Sequence, residues 1–128
     1  MKDGDILKFA GHRNRPEFQV EVAASEGAKR RGLMYRDRLP PHRGMFFFYD
    51  DEPQRRSMWM PNMRFPLDIV WIDTSFKIVS IRYNVEPCPD IRRCPRISSI
   101  YKCQYAIEFP AGEVHDLGLR VGDVLSLM

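Results

Sequence analysis

The sequence predicts one mainly β domain, a β-rich α+β fold of barrel-like or sandwich form. It should hold six to eight mostly antiparallel strands and two short helices. Three observations predict this. The 128 residues can bury about two thirds of their unfolded surface, enough for one core. Apolar residues recur in short period-two or β-branched runs. Ten prolines cut those runs at their ends, and the short connections between them leave no alternating βαβ rhythm.

Residues 1–16 read as a loosely packed N-terminal segment with a short strand at 5–9. Residues 17–23 alternate Phe18, Val20 and Val22 against Glu17, Gln19 and Glu21, the pattern of a strand with one buried face. Ser25 can cap a helix over 26–34, because its hydroxyl accepts from free first-turn amides, and Gly32 weakens the far end. After Pro40-Pro41, residues 44–49 and 57–60 read as aromatic-rich strands, joined as a hairpin by the polar 50–56 loop. Residues 67–73 and 77–84 form the clearest pairing, with Thr74-Ser75-Phe76 between them as a hairpin turn. Residues 85–102 break all periodicity and read as a long irregular loop, the kind of segment that carries function. Strand alternation resumes at 105–109. A short helix fits 111–117, and Gly122-Asp123 turns the chain into a last strand at 124–127.

With 44% hydrophobic and 29% charged residues the chain is globular, not disordered. No apolar run approaches the length of a membrane span, and residues 1–5 carry no secretory signal. A soluble protein is expected, extracytoplasmic where a signal has been removed and cytoplasmic otherwise. The net charge of +3 is mild. Basic groups recur at Arg13 and Arg15, at Lys29-Arg30-Arg31, at Arg55-Arg56 and near Arg92-Arg93. Seventeen acidic residues lie among them, so the expectation is a solvated mixed-charge surface and no specific nucleic acid.

Four segments carry a resemblance: Val20-Glu21-Val22-Ala23, then Arg31 to Arg36, then Gly44-Met45-Phe46-Phe47, then Trp59-Met60-Pro61-Asn62 with Pro66-Leu67-Asp68-Ile69. With Glu108, Gly112 and Gly122-Asp123 they resemble the domain of unknown function 192 family over residues 18–127. The resemblance implies a small β-barrel-like domain, often in secreted or envelope-facing bacterial and archaeal proteins, with no established activity. Pro61 and Met63 depart from the Lys and Thr the family often shows there, which removes two hydrogen-bonding groups from any polar site.

Within those motifs the polar residues are Arg36, Asn62, Asp68 and Glu108. Two carboxylates converging across a β pocket can do acid–base work or hold a cation. In the plainer reading Asn62 serves a turn, Asp68 accepts backbone amides, and Arg36 pairs with Glu108. The favoured function is a non-catalytic binding or accessory module for a small molecule or protein, probed at a shallow pocket near Trp59, Asn62 and Asp68. Residues 59–68 and the 85–102 loop would frame that pocket. One alternative is a small hydrolase or lyase using Asp68 and Glu108. Another is an interaction domain of envelope machinery, with an exposed strand edge at 18–23. Met45, Met58, Met60 and Met63 fit either an adaptable groove or core filling.

Cys88 and Cys94 read as a disulfide, which would stabilise by roughly 2–3 kcal/mol in the chain-entropy model. The competing idea is a thiolate activated by Arg92, Arg93 and Arg96. Cys103 is left unpaired. His12, His42 and His115 are scattered and the cysteines lack metal-ligand spacing, so no metal or cofactor is expected. No Gly-x-Ser-x-Gly elbow or Cys–His signature suggests a nucleophile. A monomer is the expected state.

Overall fold

The structure, a computed structural model, describes residues 1–128. In chain order the elements are β1 (Ile6–Phe9), β2 (Phe18–Ala23), α1 (Glu26–Arg31), β3 (Arg43–Phe47), β4 (Ser57–Met58), β5 (Leu67–Ile72), β6 (Ile78–Val85), β7 (Ile97–Ser98), β8 (Tyr105–Pro110) and α2 (Glu113–Asp116). A single 3-10 turn at Ile91–Arg93 interrupts the long loop. Six strands form one sheet in the order β1-β2-β3-β8-β5-β6, and β4 and β7 form a separate two-stranded ladder. The fold is β-rich with two short helices, as expected. No helix is long and apolar enough to cross a membrane.

The alternation in β2 works as predicted: Phe18, Val20 and Val22 are buried on one face. β5 reads Leu-Asp-Ile-Val-Trp-Ile and is buried along its whole length, because it lies between β8 and β6 and both its faces are covered. One face, with Val70, Ile72, Ile107 and Phe109, packs under α2 and the C-terminal leucines. The other, with Leu67, Ile69, Trp71 and Ala106, packs under Leu33, Met58, Met60 and Cys103. Met45, Met58 and Met60 are therefore core residues, while Met63 is half-buried at the margin.

Three expectations are corrected. The 44–49 and 57–60 strands do not pair as a hairpin. β3 runs parallel to β2, with α1 in the crossover, and antiparallel to β8; β4 pairs instead with β7 through Ser57↔Ser98. The physical reason lies in β3 itself, whose Met45 and Phe47 feed one core and Phe46 the other, so it must sit inside the sheet. It follows that β2 is also interior, and its backbone offers no free edge to a partner. Finally, residues 124–127 form single bridges, Lys77↔Val124 and Phe9↔Leu127, in place of a strand.

Those bridges explain the barrel-like form. β1 and β6 do not pair, but the C-terminal segment joins them. Ile78 N donates to Asp123 O at 2.8 Å and Leu125 N to Phe76 O at 2.8 Å, while Ala10 N donates to Ser126 O at 2.8 Å and Met128 N to Lys8 O at 2.9 Å. Arg13 clamps the same turn through both oxygens of Asp123.

Gly44 marks the tightest approach between β3 and β8. A Cβ there would lie 2.5 Å from the Glu108 carbonyl oxygen and 2.8 Å from Cδ1 of Phe109. Gly44→Ala is therefore expected to cost about 2–3 kcal/mol in chemical denaturation, as overpacking against rigid backbone does. Gly27→Ala, facing open space on α1, should be neutral or stabilising in the same measurement.

Candidate functional site

The strand register decides which polar residues can meet. Asp68 pairs across β5 and β8 with Phe109, while Ile69 pairs with Glu108. Side chains alternate along a strand, so Asp68 and Glu108 leave the sheet on opposite faces. The two carboxyls do not converge, and the two-carboxylate site does not form.

Asp68 faces α2. It is 1% exposed and accepts three backbone amides: Asn84 N at 2.9 Å, Gly112 N at 2.9 Å and Val114 N at 3.2 Å. Gly112, at φ 97°, begins α2 without a side-chain cap of its own, so Asp68 supplies from β5 the oxygen a capping residue normally brings. Amide acceptance is the plainer of the two roles read from the sequence.

Glu108 is 4% exposed and faces the other way, toward α1. The expected Arg36–Glu108 pair is replaced by Arg36–Glu21 at 2.9 Å. Glu21, Met45 and Glu108 stand in one cross-strand row, with Met45 in the middle. Glu108 thus lies two strand spacings, roughly 10 Å, beyond the carboxylate that takes the arginine. Burial pushes the Glu108 carboxyl up to about 8.

Glu108 lines a cavity of about 290 Å³. Leu33, Met34, Phe47, Met58, Trp59 and Met63 supply the apolar wall; Glu26, Lys29, Arg30 and Arg31 of α1 and Arg96 of the long loop supply charge, four basic groups against one acidic. Ser25 caps α1 by accepting from Ala28 N at 3.1 Å. The helix ends at Arg31, three residues earlier than expected, because Gly32 adopts φ 50°, ψ −126°, which only glycine tolerates. A Cβ at Gly32 would come 3.3 Å from the Phe47 ring and 3.7 Å from Oε1 of Glu108. The same glycine therefore stops the helix and keeps the cavity open over the carboxyl.

Of the residues expected around the pocket, Trp59 is present, with the Arg96 guanidinium 4.9 Å from its ring centre. Asn62 does not line the cavity. It is exposed, turns the chain at φ 59°, and its carbonyl accepts from Tyr35 N at 3.0 Å. The missed residues are those of the basic turn of α1 and Tyr49. Tyr49 lies between Lys29 Nζ at 4.2 Å and the Arg56 guanidinium at 3.9 Å, and burial pushes its hydroxyl up to about 12. Arg56 is held in turn by Asp51 at 2.6 Å. The run Lys29-Arg30-Arg31-Gly32 before an apolar pair was the available signal.

The sulfurs of Cys88 and Cys94 stand at disulfide distance, with Cα atoms 5.4 Å apart. Neither is therefore placed as an activated thiolate. Cys103 is buried and unpaired, and burial pushes its thiol up, away from the reactive range.

Two solved structures share this fold. One, from Sinorhizobium meliloti 1021 and described as a "putative transcription regulator", is 31% identical, superposes with a TM-score of 0.82, and matches over 95% of this chain and 92% of its own. The other, a protein of unknown function from Novosphingobium aromaticivorans DSM 12444, is 25% identical with a TM-score of 0.80, over 94% of this chain and 83% of its own. Among curated proteins none matches this sequence. Residues 8–127 match the family DUF192, described as "Uncharacterized ACR", and with nearly its whole length matched the chain belongs to that family.

Proposed function

We propose that this protein is a non-catalytic binding module, a monomer whose small-molecule ligand enters between α1, Trp59 and Arg96 and meets Glu108 at the floor. One observation carries the reading: a carboxyl that is 4% exposed, lines a cavity and makes no ion pair within the protein. The carboxyl makes no hydrogen bond within the protein, and its oxygens open on the cavity, where water or a ligand can satisfy them. Hydrolysis or lysis by paired carboxylates lacks its second group, since Asp68 is committed to three amides on the opposite face.

The name given to the Sinorhizobium relative raises nucleic acid as a ligand. Against it, Arg13, Arg36, Arg56 and Arg64 are taken up by Asp123, Glu21, Asp51 and Asp37. At six residues, α1 is also short for a groove-reading helix. A Cys88–Cys94 bond supports an extracytoplasmic setting, where such bonds persist.

The test is NMR titration of the full chain with three eight-carbon probes: 1,8-octanediol, 8-hydroxyoctanoate and 8-aminooctanoate. Saturable shifts at Gly32, Leu33, Met58 and the Trp59 indole with at least one probe, recovered chemically unchanged, are expected. No saturable shift with any of them, or shifts confined to other surfaces, overturns the reading.

A further inference from the structure

The charge pattern of the same cavity narrows what it takes. The inference rests on the binding reading above and specifies its ligand. Among the charged groups of the α1 turn and loop that border it, Lys29 is engaged by Glu26 at 3.3 Å. Arg30, Arg31 and Arg96 make no ion pair. All three are exposed, so they stand at the mouth, while Glu108 is enclosed at the floor. Between them lie the thioethers of Met34, Met58 and Met63 and the rings of Phe47 and Trp59. These are adaptable apolar surfaces, and Trp59 is already stacked by a guanidinium.

We infer that the ligand is a small organic anion whose carboxylate or phosphate meets Arg30, Arg31 and Arg96 at the mouth, whose body is apolar, and whose far end is a neutral hydroxyl or carbonyl hydrogen-bonded to Glu108.

Each part follows from a different feature. Guanidinium groups free of ion pairs recognise planar or tetrahedral anions through paired N–H donors, and stacking of Arg96 on Trp59 leaves its N–H edge available for this. A cavity of about 290 Å³ is at the small end of ligand sites, which suits a body of roughly eight carbons. Glu108 is uncharged near neutral pH, so its carboxyl offers one donor and one acceptor, the pair a hydroxyl matches. Ending the ligand in a methyl group would leave that carboxyl unsatisfied.

The same probes, with octanoate added, test the assignment at pH 6.5. 8-Hydroxyoctanoate is expected to bind at least tenfold more tightly than 1,8-octanediol, which lacks the anion, and three- to tenfold more tightly than octanoate, which lacks the floor group. In an Arg31→Gln, Arg96→Gln variant the advantage over the diol should fall below threefold while diol binding persists. In Glu108→Leu the advantage over octanoate should vanish or reverse. Octyl phosphate separates the two anion classes: binding as tight as octanoate's admits phosphate to the class, and binding ten times weaker restricts it to carboxylates. The inference is overturned if the diol equals 8-hydroxyoctanoate, or if 8-aminooctanoate binds more tightly than the hydroxy acid, while cavity resonances still shift; the binding reading would survive either result. Silence of every probe at the cavity overturns both.

Discussion

Asp68→Ala is expected to cost about 4 kcal/mol of folding stability, and Asp68→Asn about half of that. One buried carboxylate serves three backbone donors drawn from two places: Asn84 near the end of β6, and Gly112 and Val114 at the start of α2. Removing it leaves up to three amides, at the start of α2 and near the end of β6, without their acceptor. Charge-assisted bonds to a carboxylate contribute roughly 1.5–3 kcal/mol each, and unsatisfied buried donors cost about as much, but water reaching the exposed Gly112 and Asn84 caps the loss. Asparagine keeps the shape and one acceptor oxygen, and it turns an amino group toward at least one of the same donors. Equilibrium urea unfolding checks the totals. Hydrogen exchange checks the cause: Gly112 and Val114 should lose protection before the amides of β2 and β3. Losses below about 1 kcal/mol for both variants would mean that α2 is held by the burial of Val114, Leu117 and Leu119 alone.

The same residue shows what a sequence can disclose. The periodicity of β2 and the β5–β6 hairpin were legible because local alternation and a short connection determine them. Amide acceptance by Asp68 was legible too, as one of two readings. What was not legible was parity across the sheet. Whether Asp68 and Glu108 share a face depends on the β5–β8 register, a contact between residues some forty positions apart that no local pattern encodes. The pairing of β3 failed for a related reason. Its aromatic run fitted a hairpin with 57–60 locally, yet strands that feed both cores must be interior, and α1 carried the chain back to lie parallel to β2.

The site was half legible. Trp59 and a contribution from the 85–102 loop were expected, and Arg96 provides the latter. Asn62 was legible as one of two readings: its positive φ identifies the turn residue of the plainer one, and it takes no place in the cavity. The basic turn of α1 was read as solvated surface, which describes an isolated helix well. Gly32 changes that, since it ends the helix over Phe47 and Glu108 and brings the adjoining arginines to a cavity mouth.

Raising the pH from 5 to 8.5 is expected to remove roughly 4 kcal/mol of stability through Glu108 alone, and Glu108→Gln should abolish this loss. An ordinary glutamate releases its proton near 4.5, whereas burial holds that of Glu108 until about 8. Below 4.5 both the folded and the unfolded chain keep the proton, and its contribution is complete. Between 4.5 and 8 the unfolded chain releases it and the folded chain does not, so unfolding gains free energy with every step in pH, about 1.4 kcal/mol per unit. Above 8 both states are ionised and the curve levels. The carboxylates that stabilise the fold act elsewhere: Asp3, Asp51 and Asp123 are lowered by hydrogen bonds to Ser25, Arg56 and Arg13 respectively, so their contribution is lost only in acid, below the window in question. The difference between wild type and Glu108→Gln in urea unfolding therefore isolates one group: near zero at pH 5, and several kcal/mol in favour of the variant at pH 8.5. Parallel curves would mean that water or a counter-ion reaches the carboxyl, and with it a charged floor that a neutral ligand end would not seek.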